Sequence, residues 1–408
     1  MKLFFLMLIS EKSRKWWALA GLSISCLIAY LDFAIVNTAL PEIQRDLGVS
    51  FVVLQWVMNV FVLALSIFMV NMGRFGDTFG RRPMLYLGLA LFGIASLFSG
   101  LASGGAMLIT FRALQGVGIA MIIPSSLALI SDTFPEGERG RAIGIWTSAT
   151  GIGLALGPVL GGVITSSLGW RWVFFVNIPV LITAGGICLL SVRETIRVSE
   201  RKIDWYGFFL MIAGIGSLVT VIIEGPEWGF TSPRALSLFA AAVVCLAALY
   251  VIEAKVRSPI IDFKLFGRRG FLSGACANFT LVAFAYSAFF LMPLYLGNMR
   301  GENPFEIGLL LLPITVLIVL VAPVAGRVVD SKGAKLPILA GLLCLSVSAL
   351  IQSSYKSGSP LYHIIPGFVF MGVGWGSIFG SGAFAAISSL PKELAGTATG
   401  ALWTLQNL

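Results

Sequence analysis

The stretch Gly73-Arg-Phe-Gly-Asp-Thr-Phe-Gly-Arg-Arg82 decides how the chain is to be read, because it is a glycine-punctuated, charged segment set between two long apolar runs. A fainter version stands at Gly326-Arg-Val-Val-Asp-Ser-Lys-Gly-Ala-Lys335, 253 positions on (326 − 73). It keeps the Gly-Arg pair, the Asp, the later Gly and a closing basic residue. A segment of this kind recurring at that distance in one apolar chain marks a duplicated helical membrane unit. Gly73 opens the segment, which is expected to be a tight turn at the inner face of a bilayer. There Gly76 and Gly80 would let two helices approach closely, Asp77 would accept from donors at a helix N-terminus, and Arg74, Arg81 and Arg82 would lie among headgroups. For the arginines alone, ordinary placement in an inner loop explains as much.

Working outward, hydrophobic residues make up 57% of the 408 positions and charged ones 12%, with a mean hydropathy of +0.93. A water-soluble domain could not hide that much apolar surface in a core, so the chain is an all-α polytopic membrane protein. The net charge of +9 is spread over many short loops, the distribution that sets membrane orientation, and not gathered on one face as a nucleic-acid partner would require. Cys26, Cys188, Cys245, Cys276 and Cys344 all fall inside apolar runs without metal-type spacing, and are read as small core residues forming neither disulfide nor metal site. Met1–Ser10 lacks the pattern of a cleaved leader and is read with the following residues as a cytoplasmic N-terminal extension, 1–15. The one histidine, His363, stands at the start of a span.

Runs able to cross about 30 Å of hydrocarbon at about 1.5 Å per residue fall near 16–37, 51–72, 83–102, 107–131, 140–165, 171–191, 205–224, 235–254, 271–297, 306–326, 336–353 and 362–389. With the N-terminus in the cytoplasm, 22 Lys and Arg lie inside and 5 outside, and Arg112, within a span, completes the 28. That asymmetry sets the orientation. If the two copies of the charged segment join spans 2–3 and 10–11, six spans form the first half (16–191), two are inserted (192–270), and the second half begins at 271. The expected total is fourteen. A thirteenth span would open at Glu393-Leu-Ala-Gly-Thr-Ala-Thr-Gly-Ala-Leu402, so the chain is expected to hold about twelve full spans plus the start of another, with an incomplete C-terminal bundle over 271–408.

Three spans carry chemistry. In Leu31-Asp-Phe-Ala-Ile-Val-Asn-Thr-Ala-Leu-Pro41, Asp32 lies about 22 Å from the inner end of its helix. So deep, a carboxylate must be protonated, paired or facing a water-filled cavity; the plain alternative is a capped polar residue near the outer interface. In Leu108-Ile-Thr-Phe-Arg-Ala-Leu-Gln-Gly-Val-Gly118, entered from outside, Arg112 lies about 8 Å below the outer edge, the same depth as Asp32. Either it finds an acidic partner or it snorkels outward. Asp32 and Arg112 are the proton-coupling candidates, and Asn37 and Gln115 are candidates for a substrate cavity. Span 5 carries Gly153-Leu-Ala-Leu-Gly-Pro-Val-Leu-Gly-Gly162. In it Gly153, Gly157, Gly161 and Gly162 strip one helix face and Pro158 permits a kink, while ordinary close helix packing would use the same residues.

The charged segment and its degenerate copy resemble the loops between the second and third spans of each half of major facilitator superfamily transporters, and the glycine-rich span resembles that superfamily's antiporter motif. Trp170-Arg-Trp-Val-Phe-Phe-Val-Asn-Ile-Pro179, Ile203-Asp-Trp-Tyr-Gly207, whose Asp204 is placed as an N-cap, and Glu224-Gly-Pro-Glu-Trp-Gly229 narrow the likeness to the fourteen-span drug:proton antiporters of the EmrB/QacA type. The resemblance implies a major facilitator fold of two six-helix halves plus two inserted helices. It also implies a proton-coupled secondary transporter in the cell membrane that exports drugs or other amphipathic or cationic small molecules by alternating access, conferring antibiotic resistance. Its energy source would be the proton gradient, with no cofactor, and its partners cargo, protons and lipids; a monomer is expected, and an accessory export partner is compatible with it. Thr78 stands where family members carry a basic residue, leaving Arg81 and Arg82 to compensate for a missing charge pair. Export or import of one metabolite (an amino acid, sugar derivative or siderophore) and a truncated, non-transporting membrane protein remain open alternatives. No nucleotide-binding loop, soluble domain or His/Cys cluster supports an enzyme.

Overall fold

The computed structural model describes residues 11–193, 205–253, 265, 267–302, 304–388 and 402. Among them, twelve helices are long and apolar enough to cross a membrane. They are α1 (Glu11–Leu47), α2 (Phe51–Phe79), α3 (Arg81–Gly100), α4 (Gly105–Thr133), α5 (Glu136–Leu168), α6 (Arg171–Ser191), α7 (Trp205–Trp228), α8 (Pro233–Glu253), α9 (Arg269–Leu294), α10 (Pro304–Lys332), α11 (Lys335–Ser353) and α12 (Leu361–Ser388). In hydrocarbon every backbone N–H and C=O must be satisfied within its own segment, and a helix does so. Short connections make neighbours antiparallel. One end of the bundle, called here the basic face, therefore gathers the start of α1, the α2–α3 and α10–α11 turns and the end of α12.

The charged segment is not a loop. Gly73 through Phe79 continue α2, and the reversal is made by Gly80 alone, at φ 107°, with its N–H donating to the Gly76 carbonyl at 3.0 Å. The copy repeats the device 253 residues on: Gly333, at φ 80°, donates to Val329 at 2.9 Å. Only glycine visits such a backbone freely. The expected close approach at Gly76 is corrected: a methyl there would meet its nearest neighbour, Ser125 Oγ, at an ordinary 3.7 Å. The side chains of Arg74 and Asp77 lie outside the described residues, as do the expected N-cap at Asp204 and the helix expected from Glu393.

Span 1 also runs past its expected end near residue 37: Pro41 lies inside the helix, and α1 continues six residues beyond it. Tertiary packing offsets the hydrogen bond that proline removes. Ala39, Leu40 and Ile43 pack in one buried cluster with Trp170, the residue before α6, and with Val173 and Phe174 of α6. Asp46 accepts from Arg171 at 2.6 Å and from the Trp170 indole at 3.0 Å. Within α6 the ladder is interrupted at Val176, where Pro179 has no N–H to give the Phe175 carbonyl.

The first half is closed by α1 against α5 and α6, and by α4 against α2 and α3. In the α3–α4 crossing a Cβ on Gly88 would lie 2.8 Å from the Gly118 carbonyl; in the α11–α12 crossing one on Gly341 would lie 3.0 Å from the Gly374 carbonyl. The offsets are 253 (341 − 88) and 256 (374 − 118), so the duplication read from one turn extends to the packing of whole helices, with three residues added before α12. The inserted pair α7–α8 packs on α2 of the first half through Phe208, Met211, Ile215 and Ile67, and the Trp56 indole donates to Glu224 at 2.6 Å. Between halves, the main joint is α5 against α10.

Candidate functional site

Asp32 on α1, Ser96 on α3, Arg112 and Gln115 on α4, and Asn177 on α6 converge in one cluster in which each is 0% exposed. Arg112 Nη1 donates to Asp32 Oδ2 at 2.5 Å and to Gln115 Oε1 at 3.0 Å, and its Nε donates to the Val57 carbonyl of α2 at 3.2 Å. The second carboxylate oxygen, Oδ1, accepts from Asn177 Nδ2 at 2.6 Å and from Gln115 Nε2 at 3.2 Å. Ser96 Oγ accepts from Gln115 at 2.7 Å and from Asn177 at 3.3 Å. The guanidinium carbon sits 4.3 Å from the centre of the Phe61 ring and 6.0 Å from that of Phe174. Desolvating both ions is costly, and the fixed donors and the ring faces offset that cost.

The equal depths read for Asp32 and Arg112 thus correspond to direct contact, and snorkelling is excluded for Arg112 in this conformation. Gln115 belongs to the same cluster and not to a cavity wall. Asn37 is half-buried and likewise outside the cavity lining. Asn177 and Ser96 were missed as site residues. Asn177 stands in a quoted motif, yet a neutral amide within an apolar span carries no periodic signal. Four of the five cluster positions have apolar counterparts in the second half. At the offsets found above, Ala285 (32 + 253), Ala349 (96 + 253), Phe368 (112 + 256) and Met371 (115 + 256) stand in their place.

A cavity of about 540 Å³ lies between the halves. Its walls come from the basic-face portions of three helices: Ile143 to Leu154 of α5, Ile318 to Asp330 of α10 and Trp375 to Phe384 of α12. Tyr30 and Tyr286 line it from α1 and α9. Gly144 and Gly380 leave open space where side chains would stand. Among the described lining residues Asp330, the Asp of the second charged segment, is the one charged group. The Ser381 hydroxyl lies on this wall without a partner.

Away from the basic face the halves meet. The backbone of α10 passes so close at Gly308 that a Cβ there would stand 3.1 Å from the carbonyl of Pro158, in the glycine-rich run of α5. Phe51 of α2 and Phe290 of α9 are 6.3 Å apart. Gly153, Gly157 and Gly161 face α1, where added methyls would collide with the Leu27 carbonyl, Ala34 and Thr38 respectively. At the basic face the charges stitch the first half to itself. Arg81 pairs with Asp132 of α4, Lys15 with Glu138 of α5 at 2.5 Å, and Arg82 donates to the Leu189 carbonyl of α6 at 3.2 Å.

The sequence pattern of the Major Facilitator Superfamily matches residues 22–408. The chain belongs to the major facilitator superfamily. It is 37% identical over 376 residues to the "Multidrug resistance protein Stp" of Mycobacterium tuberculosis, covering 91% of this chain and 69% of that protein. It is 33% identical over 392 residues to the "Tetracenomycin C resistance and export protein" of Streptomyces glaucescens, covering 95% and 72%. It is 29% identical to the "Riboflavin transporter RibZ" of Clostridioides difficile, covering 97% and 86%. Among solved structures, a POT family transporter in complex with a thioalcohol-conjugated peptide superposes with a TM-score of 0.72 at 17% identity, over 95% of this chain and 87% of that one. At that identity the match speaks for the fold alone. A major facilitator protein of this kind is a multi-pass membrane transporter of small molecules and not an enzyme.

Proposed function

We propose that this chain is a proton-driven exporter of amphipathic, cationic or aromatic small molecules, working by alternating access in the cell membrane with its N-terminus and basic face in the cytoplasm. The observation that carries the reading is the buried Asp32–Arg112 pair, confined to one half, beside a cavity whose one charged wall residue among those described is an acid. The cavity falls within the roughly 300–1,000 Å³ of small-molecule sites. Tyr30, Tyr286, Trp375, Phe379 and Phe384 offer ring faces to a cation or a planar cargo, and Asp330 favours positive charge at the mouth. The state described, open to the basic face, is the loading state of an exporter in this orientation. Asp32 is the proton carrier: a proton arriving there competes with Arg112 and Asn177 for the carboxylate oxygens and loosens the cluster that ties α1, α4 and α6 together. The relatives named for drug and antibiotic resistance point to the same class of cargo, and the α7–α8 insertion to the fourteen-span branch. RibZ, matched over most of its length, favours a second reading, a single aromatic metabolite such as a flavin.

Expression in a strain stripped of other pumps should raise resistance to cationic dyes such as ethidium. Vesicles of that strain should release protons when ethidium is added, and the Asp32→Asn variant should do neither while still reaching the membrane. Proton release by riboflavin and not by ethidium would select the second reading, and full transport by Asp32→Asn would remove proton coupling through this residue.

A further inference from the structure

Asp32 is out of reach of the cavity in this conformation, and what stands between them is specific. Phe61 covers Arg112 at 4.3 Å; Phe33, next to Asp32 on α1, lies 6.5 Å from Phe61; and Tyr286 of α9 lies 5.3 Å from Phe33. Tyr286 in turn is 6.3 Å from Trp375, and both line the cavity. A second pocket of about 30 Å³ borders this stack, lined by Tyr30, Phe33, Phe61 and Tyr286 together with aliphatic side chains of α1, α2 and α4. That is room enough for a water, yet its lining is largely apolar.

We infer that Phe33, Phe61 and Tyr286 form an aromatic plug built from both halves that shuts the cavity off from Asp32, so that cargo resting on Tyr286 and Trp375 governs when Asp32 exchanges protons. The inference rests on the proton-coupling reading above and adds the residues that would make coupling obligatory. Two facts give it direction. Tyr286 is the plug's one member from the second half, so any rocking of the halves changes its contact with Phe33. Tyr286 is also the member that faces cargo. The Asp32 carboxylate accepts from Arg112 and Gln115 of α4 and from Asn177 of α6; Ser96 of α3 bonds both amides, and Phe61 of α2 lies over the Arg112 guanidinium. The glycines of α5 pack alongside α1, with no titratable side chain between Thr150 and Gly162. Arg112 is therefore the one ionised partner, and the plug, not a second titrating group, sets access. Without such a plug Asp32 could exchange protons with the cavity whether or not cargo were bound, and the empty carrier could then shuttle protons down their gradient.

The test uses the full chain in vesicles holding a pH-sensitive dye, with ethidium as cargo. The wild-type chain should admit protons slowly until ethidium is added. Tyr286→Ala and Phe33→Ala should each raise the cargo-free proton flux about tenfold and flatten its dependence on ethidium, in the range typical of coupling between sites. Tyr286→Phe, which keeps the ring, should restore cargo dependence. Adding Asp32→Asn to Tyr286→Ala should abolish the extra flux. Where Tyr286→Ala fails to fold, Tyr286→Leu removes the ring and keeps most of the volume. Wild-type flux and ethidium dependence in folded Ala or Leu variants would overturn the plug while Asp32→Asn alone still stops transport. A normally transporting Asp32→Asn protein would instead overturn the proton reading, and the plug with it.

Discussion

At the scale of single residues, the Asp32–Arg112 pair has an energetic signature separate from its function. Removing one partner of a buried pair leaves the other charged and unsatisfied, at a cost of about 3–5 kcal/mol. Arg112→Ala should therefore lower the melting temperature in detergent as well as stop export. Arg112→Lys keeps the charge but cannot serve Asp32, Gln115 and the Val57 carbonyl with one planar fork. It should recover part of the stability and little of the transport; a Lys variant exporting like wild type would show that only charge is needed. Sequence reasoning reached this pair because residues of opposite charge are rare inside spans and counting along each helix gave both the same depth. It did not reach Asn177 or Ser96, which are common residues whose meaning depends on which helices meet. For the same reason it did not tell that Gln115 turns into this cluster in the conformation described: depth along α4 was readable, but not the direction of the side chain.

Elements are governed by how closely backbones approach, and the glycines divide on that basis. Twelve spans and the internal duplication could be read from hydropathy and from one repeated turn. The length of α1 could not, because Pro41 is a stop signal that packing on α6 overrides. Nor could the functions of Gly76 and Gly80 be told apart, since spacing does not reveal which glycine takes positive φ. Gly80→Ala should cost about 1–3 kcal/mol through backbone strain, whereas Gly76→Ala should be nearly neutral for stability, the methyl meeting only ordinary contacts. In α5, Gly157→Leu should force α1 and α5 apart, and overpacking of this kind costs about 1–3 kcal/mol. Gly144→Ala, which faces open space, should leave stability alone. Melting curves of the four variants check the ordering, and equal losses at Gly76 and Gly80 would contradict it.

For the whole molecule the decisive feature is that the halves touch at one end and part at the other. Alternating access requires that end to open, so the contacts at Gly308–Pro158 and Phe51–Phe290 must break once per cycle. Neither ring takes part in the hydrogen bonds of the Asp32 cluster, and Phe51 stands six residues, about 9 Å along α2, from Val57, whose carbonyl the cluster uses. Replacing both by cysteine, in a chain whose five native cysteines are removed, and bridging them with a short thiol-reactive crosslinker should therefore fix the state open to the basic face. Ethidium should still bind from that face, and its transport should fall to background. A reducible crosslinker should give the activity back on reduction. Transport continuing in the bridged protein would mean that the joint seen between the halves is not the one that opens.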